Sequence, residues 1–179
     1  MENIIMFKYI SIFFCVFIFL FGPLVLVSNS LSTYNEQPKI RDFLFFGADL
    51  EGFTDNEVSH MEDVRFILNL GSFLLVFALV FVCIYFVFFG FEDVVRISSI
   101  ISFCLVLFIS FIGIFSFNFA FEVFHLVFFP QGNWMFPLDS KLIGLFPTHY
   151  FIEKSIIVLI STLSFIGISY LSSYYVRTS

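Results

Sequence analysis

Three histidines are the candidate proton carriers of this 179-residue chain, because imidazole is the side chain whose usual pKa lies nearest neutral pH. They are His60, His125 and His149. Thr54 and Glu57 have the spacing of a capping box, which predicts a helix beginning at Asp55. On that helix Glu57, His60 and Asp63 share one face, so a carboxylate one turn away could orient the imidazole. The pattern is equally typical of a solvated acidic helix.

The second histidine, His125, lies near the end of an apolar helical stretch that stops at a turn containing Pro130 and Gly132. Glu122 lies three residues earlier and is an ionisable group at the edge of an apolar segment, where such groups are often functional. Trp134 has the amphipathic ring typical of a membrane interface. We therefore expect His125 to lie close to the lipid boundary.

A short helix is predicted further along the same loop. Asp139 and Ser140 are residue types that cap helices, and Pro147 would end a helix that runs through Phe146. This helix is expected to form a re-entrant or interfacial lid.

Side chains suited to covalent catalysis are poorly placed. Cys15, Cys83 and Cys104 all lie inside long apolar segments and are predicted to be small buried side chains rather than a disulfide framework. Ser59 is expected on a different side of its helix from His60, and no G-x-S-x-G motif occurs. The residues therefore favour acid–base chemistry without a side-chain nucleophile.

The elements that position these residues are those of a membrane protein. The chain is 60% hydrophobic and 12% charged, with a mean hydropathy of +1.03, whereas soluble domains are about 25% charged. Four apolar segments, residues 4–27, 66–90, 97–120 and 155–175, are long enough to cross a bilayer. We predict an all-α integral membrane fold, a single domain (1–179) with a four-transmembrane-helix bundle and short interfacial helices in two extracytoplasmic loops.

The topology places all three histidines on one side of the membrane. They lie in two long loops, 28–65 and 121–154, which an even number of spans puts on the same face. Lys8, Arg96 and Arg177 lie in short segments on the other side and predict cytoplasmic termini in a plasma membrane. The first segment is longer than the apolar core of a signal peptide, about 7 to 15 residues, and is expected to be an uncleaved helix.

Three strings of residues resemble the lipoprotein intramolecular transacylase family of four-helix membrane proteins. They are Thr54-x-x-Glu57-x-x-His60-Met61-x-Asp63-Val64, then Phe124-His125-x-x-Phe128-Phe129-Pro130-x-Gly132-Asn133-Trp134-x-Phe136, then Leu142-Ile143-x-Leu145-Phe146-Pro147. The resemblance implies an enzyme that moves the sn-2 acyl chain of a diacylglyceryl lipoprotein onto the amine of its N-terminal cysteine. It also implies that His60 and His125 act in this reaction. The chain departs from the family pattern in a short first loop and in His149.

Such a transfer needs a base for the ammonium, an acid for the leaving alkoxide and hydrogen-bond donors for the oxyanion. We interpret His60 as the base and His125 as the donating partner, with the reverse assignment open. The expected orienting residues are Glu57, Asp63 and Glu122. Asn133 and backbone amides near Gly132 are expected to hold the oxyanion. The candidate substrate contacts are Arg65, Phe128, Phe129, Asn133, Trp134 and Phe136. No cofactor and no metal are expected.

The expected partners are a diacylglyceryl-modified lipoprotein, or another acyl lipid, and the membrane lipids. Nucleic acid is excluded, because the net charge is -6 and no segment carries a basic stripe. One alternative is a metal-dependent membrane hydrolase in which His60, His125 and His149 bind Zn²⁺ near Asp63 or Glu57. A second alternative is a non-enzymatic membrane scaffold whose aromatic loops bind a partner.

Overall fold

A computed structural model describes residues 2–28 and 37–178 of the chain, which form helices and connecting turns. The helices are α1 (Glu2–Ser28), α2 (Gln37–Phe46), α3 (Asp55–Phe89), α4 (Glu92–Phe115), α5 (Phe117–Phe128), α6 (Lys141–Leu145) and α7 (Thr148–Thr178). Residues 29–36 of the predicted first loop, and the side chain of Arg177, lie outside the described part.

Four of the helices, α1, α3, α4 and α7, are long and apolar enough to cross a membrane, which confirms the predicted fold class. Helix α3 has 35 residues, or about 52 Å at 1.5 Å per residue, and so exceeds a hydrocarbon layer of about 30 Å. Its first three turns, 55–65, carry five charged residues and one histidine. The apolar part of α3, residues 66–89, is by itself long enough to cross a membrane, and His60 precedes it.

The bundle packs around α1, which contacts α3, α4 and α7. Helices α1 and α4 are joined by fully buried Ser98, whose Oγ donates a hydrogen bond of 3.3 Å to the carbonyl of Ile12. The buried apolar side chains of the bundle are Ile12, Cys15, Ile18, Phe19, Ala78, Val82, Tyr85, Val94, Val106 and Ile166.

A second apolar cluster caps one end of the bundle. It joins α2, the start of α3 and α6, and its buried members are Ile40, Phe43, Leu44, Leu50, Met61 and Leu142. This outer cluster fixes α2 and α6 against the polar turns of α3 that carry His60.

The predicted third span, 97–120, is wrong at its end. Helix α4 stops at Phe115, and Ser116 adopts an extended conformation with φ -158° and ψ 90°. The Ser116 side chain then accepts a hydrogen bond from the backbone N–H of Phe119 and so begins α5. Hydropathy does not detect this break because apolar residues continue on both sides of it. As a result, His125 is carried by a separate helix.

The prediction that the cysteine side chains are buried is correct for only one of the three residues. Cys15 is buried in the bundle, whereas Cys83 and Cys104 are exposed on its outer surface. In a membrane, helix faces that point away from the bundle meet lipid, which accepts a small apolar side chain as readily as a protein core does.

Candidate active site

His60 and His125 lie side by side, although they are far apart in sequence. Their ring centroids are 6.1 Å apart and the ring planes are inclined by 26°. Each side chain is buried, with 8% exposed. The start of α3 supplies one ring and the last turn of α5 the other. A single small ester group could therefore contact both imidazoles.

Aromatic rings surround this pair. Phe129 is 3% exposed and lies 4.7 Å from His60 and 5.5 Å from His125, measured between ring centroids. Phe136 lies 5.5 Å from His60, and Trp134 lies 4.9 Å from His125. Phe128, by contrast, is 46% exposed. The pair is thus held in an apolar pocket that excludes much of the surrounding water.

The turn after α5 brings Trp134 and Phe136 back over the histidines. The backbone N–H of Gly132 donates to the carbonyl of Phe129 at 3.1 Å. Gly132 has a φ of 79°, a left-handed conformation that a residue without Cβ adopts at little cost. The predicted turn at Pro130 and Gly132 therefore places the aromatic residues in the site.

Asp63 does not form the predicted orienting contact with His60. It binds the turn after α5 instead. Its Oδ2 accepts hydrogen bonds of 2.6 Å from the side-chain amides of Gln131 and Asn133. Asn133 also donates to Ser59 Oγ at 3.3 Å. The side chain of Asn133 and the charge of Asp63 each favour the protonated form of His60.

The same contacts correct the expectation that Asn133 holds an oxyanion. Both hydrogens of its amide nitrogen are committed, one to Asp63 and one to Ser59. Its Oδ1 is buried and has no hydrogen-bond partner among the described residues. Asn133 thus offers the pocket an acceptor rather than a donor.

The role of Glu57 also differs from the prediction, because its carboxylate binds backbone N–H groups and not His60. One carboxylate oxygen accepts from the backbone N–H and Oγ1 of Thr54 at 2.8 and 2.9 Å, which confirms the capping box. The other accepts from the backbone N–H of Leu142 at 3.1 Å. Burial opposes ionisation of Glu57, but these hydrogen bonds outweigh it and lower the pKa. Glu57 therefore joins α3 to α6.

We expect Glu57→Gln to destabilise the folded protein by about 2 kcal/mol, because the cap and a charge-assisted hydrogen bond are both weakened. Thermal unfolding in detergent measures the loss. Glu62→Gln is the matched control, since Glu62 is exposed on the same helix. Equal melting temperatures for the two variants would contradict this role of Glu57.

The short helix α6 begins as predicted, because the Ser140 side chain accepts a hydrogen bond from the backbone N–H of Ile143 at 3.3 Å. The helix ends at Leu145, one residue earlier than expected. Leu142 is buried in the outer cluster. The lid function of α6 stays a prediction.

The ring of His125 is held in one tautomer. Its Nδ1 lies 2.7 Å from the carbonyl oxygen of Phe121, and because a carbonyl can only accept, the proton sits on Nδ1. The neutral ring therefore keeps a lone pair on Nε2. Burial lowers the pKa of His125, and the bond to Phe121 opposes this only in part.

His60 is strongly biased towards its neutral form. Burial, followed by the charge of His125, lowers the pKa of His60 to about 4, against the smaller opposing effects of Asn133 and Asp63. Its Nδ1 is buried and has no hydrogen-bond partner in the described part of the chain. At neutral pH the pocket therefore contains two uncharged imidazoles.

This low pKa makes stability depend on pH. An unfolded histidine has a pKa near 6.5, so between about pH 6.5 and pH 4 the unfolded chain binds a proton that folded His60 does not. We expect the melting temperature to fall as the pH decreases through this window. His60→Gln should reduce the fall, while Leu138→Ala, at a position 93% exposed and without a titratable group, should leave it unchanged. Identical pH profiles for wild type and His60→Gln would refute the assignment.

The structure does not bring the other candidate residues to the histidine pair. Glu122 and His149 are exposed. The guanidinium of Arg65 lies 4.5 Å from the centre of the Phe43 ring, so its contact is with α2. Among residues 2–28 and 37–178, no group of three or more His, Cys, Asp or Glu side chains is placed to hold a metal ion. The three-histidine zinc site is therefore not assembled.

Sequence reasoning missed two contributors to the site, Gln131 and the carbonyl of Phe121. Gln131 follows Pro130 in a turn and carries no motif that points to Asp63. The Phe121 carbonyl was foreseeable in principle, because a histidine near a helix end can donate to the carbonyl four residues earlier.

Comparisons with known proteins agree with the family resemblance that the three strings of residues around His60, His125 and Leu142 indicate. The family model described as "Lipoprotein intramolecular transacylase Lit" matches residues 22–151, well over half of the chain. An uncharacterized protein of Aquifex aeolicus (strain VF5) is 34% identical over 114 residues, which is 63% of this chain and 52% of that protein. The chain thus spans about half the length of this curated relative. No solved structure matches.

Proposed function

Because the chain belongs to the lipoprotein intramolecular transacylase family, we propose that it transfers the sn-2 acyl chain of a diacylglyceryl lipoprotein to the amine of the N-terminal cysteine. The observation that carries this proposal is the buried, neutral pair of His60 and His125 in one aromatic pocket. Acid–base groups of this kind suit a reaction whose nucleophile belongs to the substrate.

His125 is the better base of the two, in contrast to the assignment preferred from sequence. With Nδ1–H bound to Phe121, the lone pair of Nε2 is available to the amine. The amine nitrogen attacks the ester carbonyl carbon and gives its proton to His125. The bond from that carbon to the glyceryl oxygen then breaks, and the leaving oxygen takes the proton back from His125. An N–H of His60 stabilises that oxygen.

The apolar walls favour transfer to the amine over hydrolysis. Phe129 contacts both imidazoles, and Phe136 and Trp134 cover one each. Amine and ester belong to one molecule, and well-oriented intramolecular steps reach effective molarities of about 10⁵ to 10⁸ M. Positioning of the substrate therefore supplies much of the acceleration.

We place this pocket at the extracytoplasmic face of the plasma membrane, with both termini in the cytoplasm. The opposite end of the bundle carries Lys8, whose Nζ lies 3.5 Å from Asp93, and Arg96, which lies 2.9 Å from the same carboxylate. Basic residues in short segments favour the cytoplasmic side. Cysteine labelling of each face in intact cells tests this orientation.

Mass spectrometry of a lipoprotein N-terminus tests the function. Cells that contain this protein should carry an acyl chain on the cysteine amine and lack it at the sn-2 position, and cells without the gene should show the reverse. The same conversion by purified protein should persist after chelator treatment. An unchanged acyl position in the two strains would end the proposal.

A further inference from the structure

The indole of Trp134 presents a hydrogen-bond donor that the fold leaves unused. Its Nε1 is buried and has no hydrogen-bond partner within residues 2–28 and 37–178. An unpaired buried N–H is costly, and folded proteins contain few of them. This one lies on a ring whose centroid is 4.9 Å from that of His125.

Apart from the N–H of His60, which the proposed mechanism assigns to the leaving oxygen, the side-chain N–H groups considered near the pair are already committed. The amide hydrogens of Asn133 bind Asp63 and Ser59, and the Nδ1–H of His125 binds a backbone carbonyl. Arg65 lies over Phe43 in the outer cluster. The proposed reaction nevertheless places negative charge on the ester carbonyl oxygen, which needs a donor.

We propose that the Nε1–H of Trp134 donates a hydrogen bond to the carbonyl oxygen of the substrate ester and to the oxyanion that forms from it. This inference rests on the proposed function and adds a catalytic residue to it. When the amine nitrogen bonds to the carbonyl carbon, the π electron pair of the carbonyl moves to the oxygen. The indole N–H donates its hydrogen bond to this negatively charged oxygen. When the bond to the glyceryl oxygen breaks, the pair returns and the indole keeps its proton.

An indole suits this pocket better than a charged donor. It has no charge to lose on burial and does not titrate near neutral pH, so it leaves the two neutral imidazoles unperturbed. Gly132 lets the turn place the ring against His125 before substrate enters. A donor fixed in advance needs no reorganisation during the reaction.

Trp134→Phe tests the proposal, because it keeps an aromatic ring and removes the donor. We expect kcat to fall about 100-fold with KM changed less than threefold, the pattern of an interaction made mainly in the transition state. Leu138→Ala, at a position 93% exposed in the same loop, is the control and should keep wild-type kcat. A Trp134→Phe enzyme within threefold of wild type would overturn the inference while leaving the transacylase intact.

A binding experiment on the wild-type protein covers the case in which Trp134→Phe does not fold. Trp134 is the only tryptophan in the chain, so its fluorescence reports on this residue alone. Two unreactive probes are compared, both cysteine peptides with an acetylated amine, one with diester and one with diether chains. The diester alone should shift the emission, while the two affinities should differ by less than about threefold because the hydrogen bond is strongest in the transition state. Equal emission with the two probes would refute the hydrogen bond, whereas inactivity of the wild-type enzyme would refute the function.

Discussion

His125→Ala is expected to reduce kcat by about 1,000-fold or more. The neutral ring presents its Nε2 lone pair because Nδ1–H is bound to the Phe121 carbonyl, and removing the ring leaves no base to take the proton of the attacking amine. General acid–base groups contribute about 10² to 10⁴-fold. Single-turnover conversion of a diacylglyceryl peptide by detergent-solubilised protein, followed by mass spectrometry, measures the loss.

Two further variants separate chemistry from packing. His125→Phe keeps a ring against Phe129 and Trp134 and should be as inactive as His125→Ala, with a melting temperature closer to wild type. Phe119→Leu alters a 58% exposed residue of the same helix and should retain activity. If His125→Phe kept a tenth of wild-type turnover or more, His125 could not be the base.

His60→Ala is expected to reduce kcat by several hundredfold. Its ring lies 6.1 Å from His125 and is packed by Phe129 and Phe136, and the proposed mechanism uses its N–H to stabilise the leaving oxygen. Because alanine would also leave a cavity in this pocket, His60→Gln serves as the second variant. Glutamine keeps an N–H donor but cannot exchange a proton, so a larger residual rate is expected with it than with alanine.

The double variant His60→Ala, His125→Ala tests whether the pair acts as a unit. Residues that serve one transition state lose activity non-additively, so the double variant should be little slower than His125→Ala alone. Multiplication of the two single effects would show that the histidines act independently. Full activity in both single variants would contradict the enzyme proposal and favour the membrane scaffold.

Several features could be predicted because they depend on residues close together in the chain. The four membrane helices follow from length and hydropathy. The capping box at Thr54 and the cap at Ser140 are each closed by groups three residues apart. The family resemblance rests on strings of the same local kind and is confirmed by a match over residues 22–151.

Other features escaped sequence reasoning because a single polar group can satisfy its hydrogen bonds in several ways. Glu57 and Asp63 have helical spacing to His60, yet the structure uses them to hold Leu142, Gln131 and Asn133. Spacing shows which groups can meet on one helix, but it does not include the competing partners that another element supplies.

The sequence by itself determined the membrane fold, the starts of α3 and α6 and the two candidate histidines, since hydropathy, capping and side-chain chemistry are properties of neighbouring residues. Only the tertiary structure decided that His60 and His125 share a pocket, that Nε2 of His125 keeps the lone pair, and that Trp134 has an unused N–H. Those outcomes depend on how the start of α3 packs against α5 and the turn after it. Such packing brings together groups that are distant in sequence and sets the burial that lowers their pKa values.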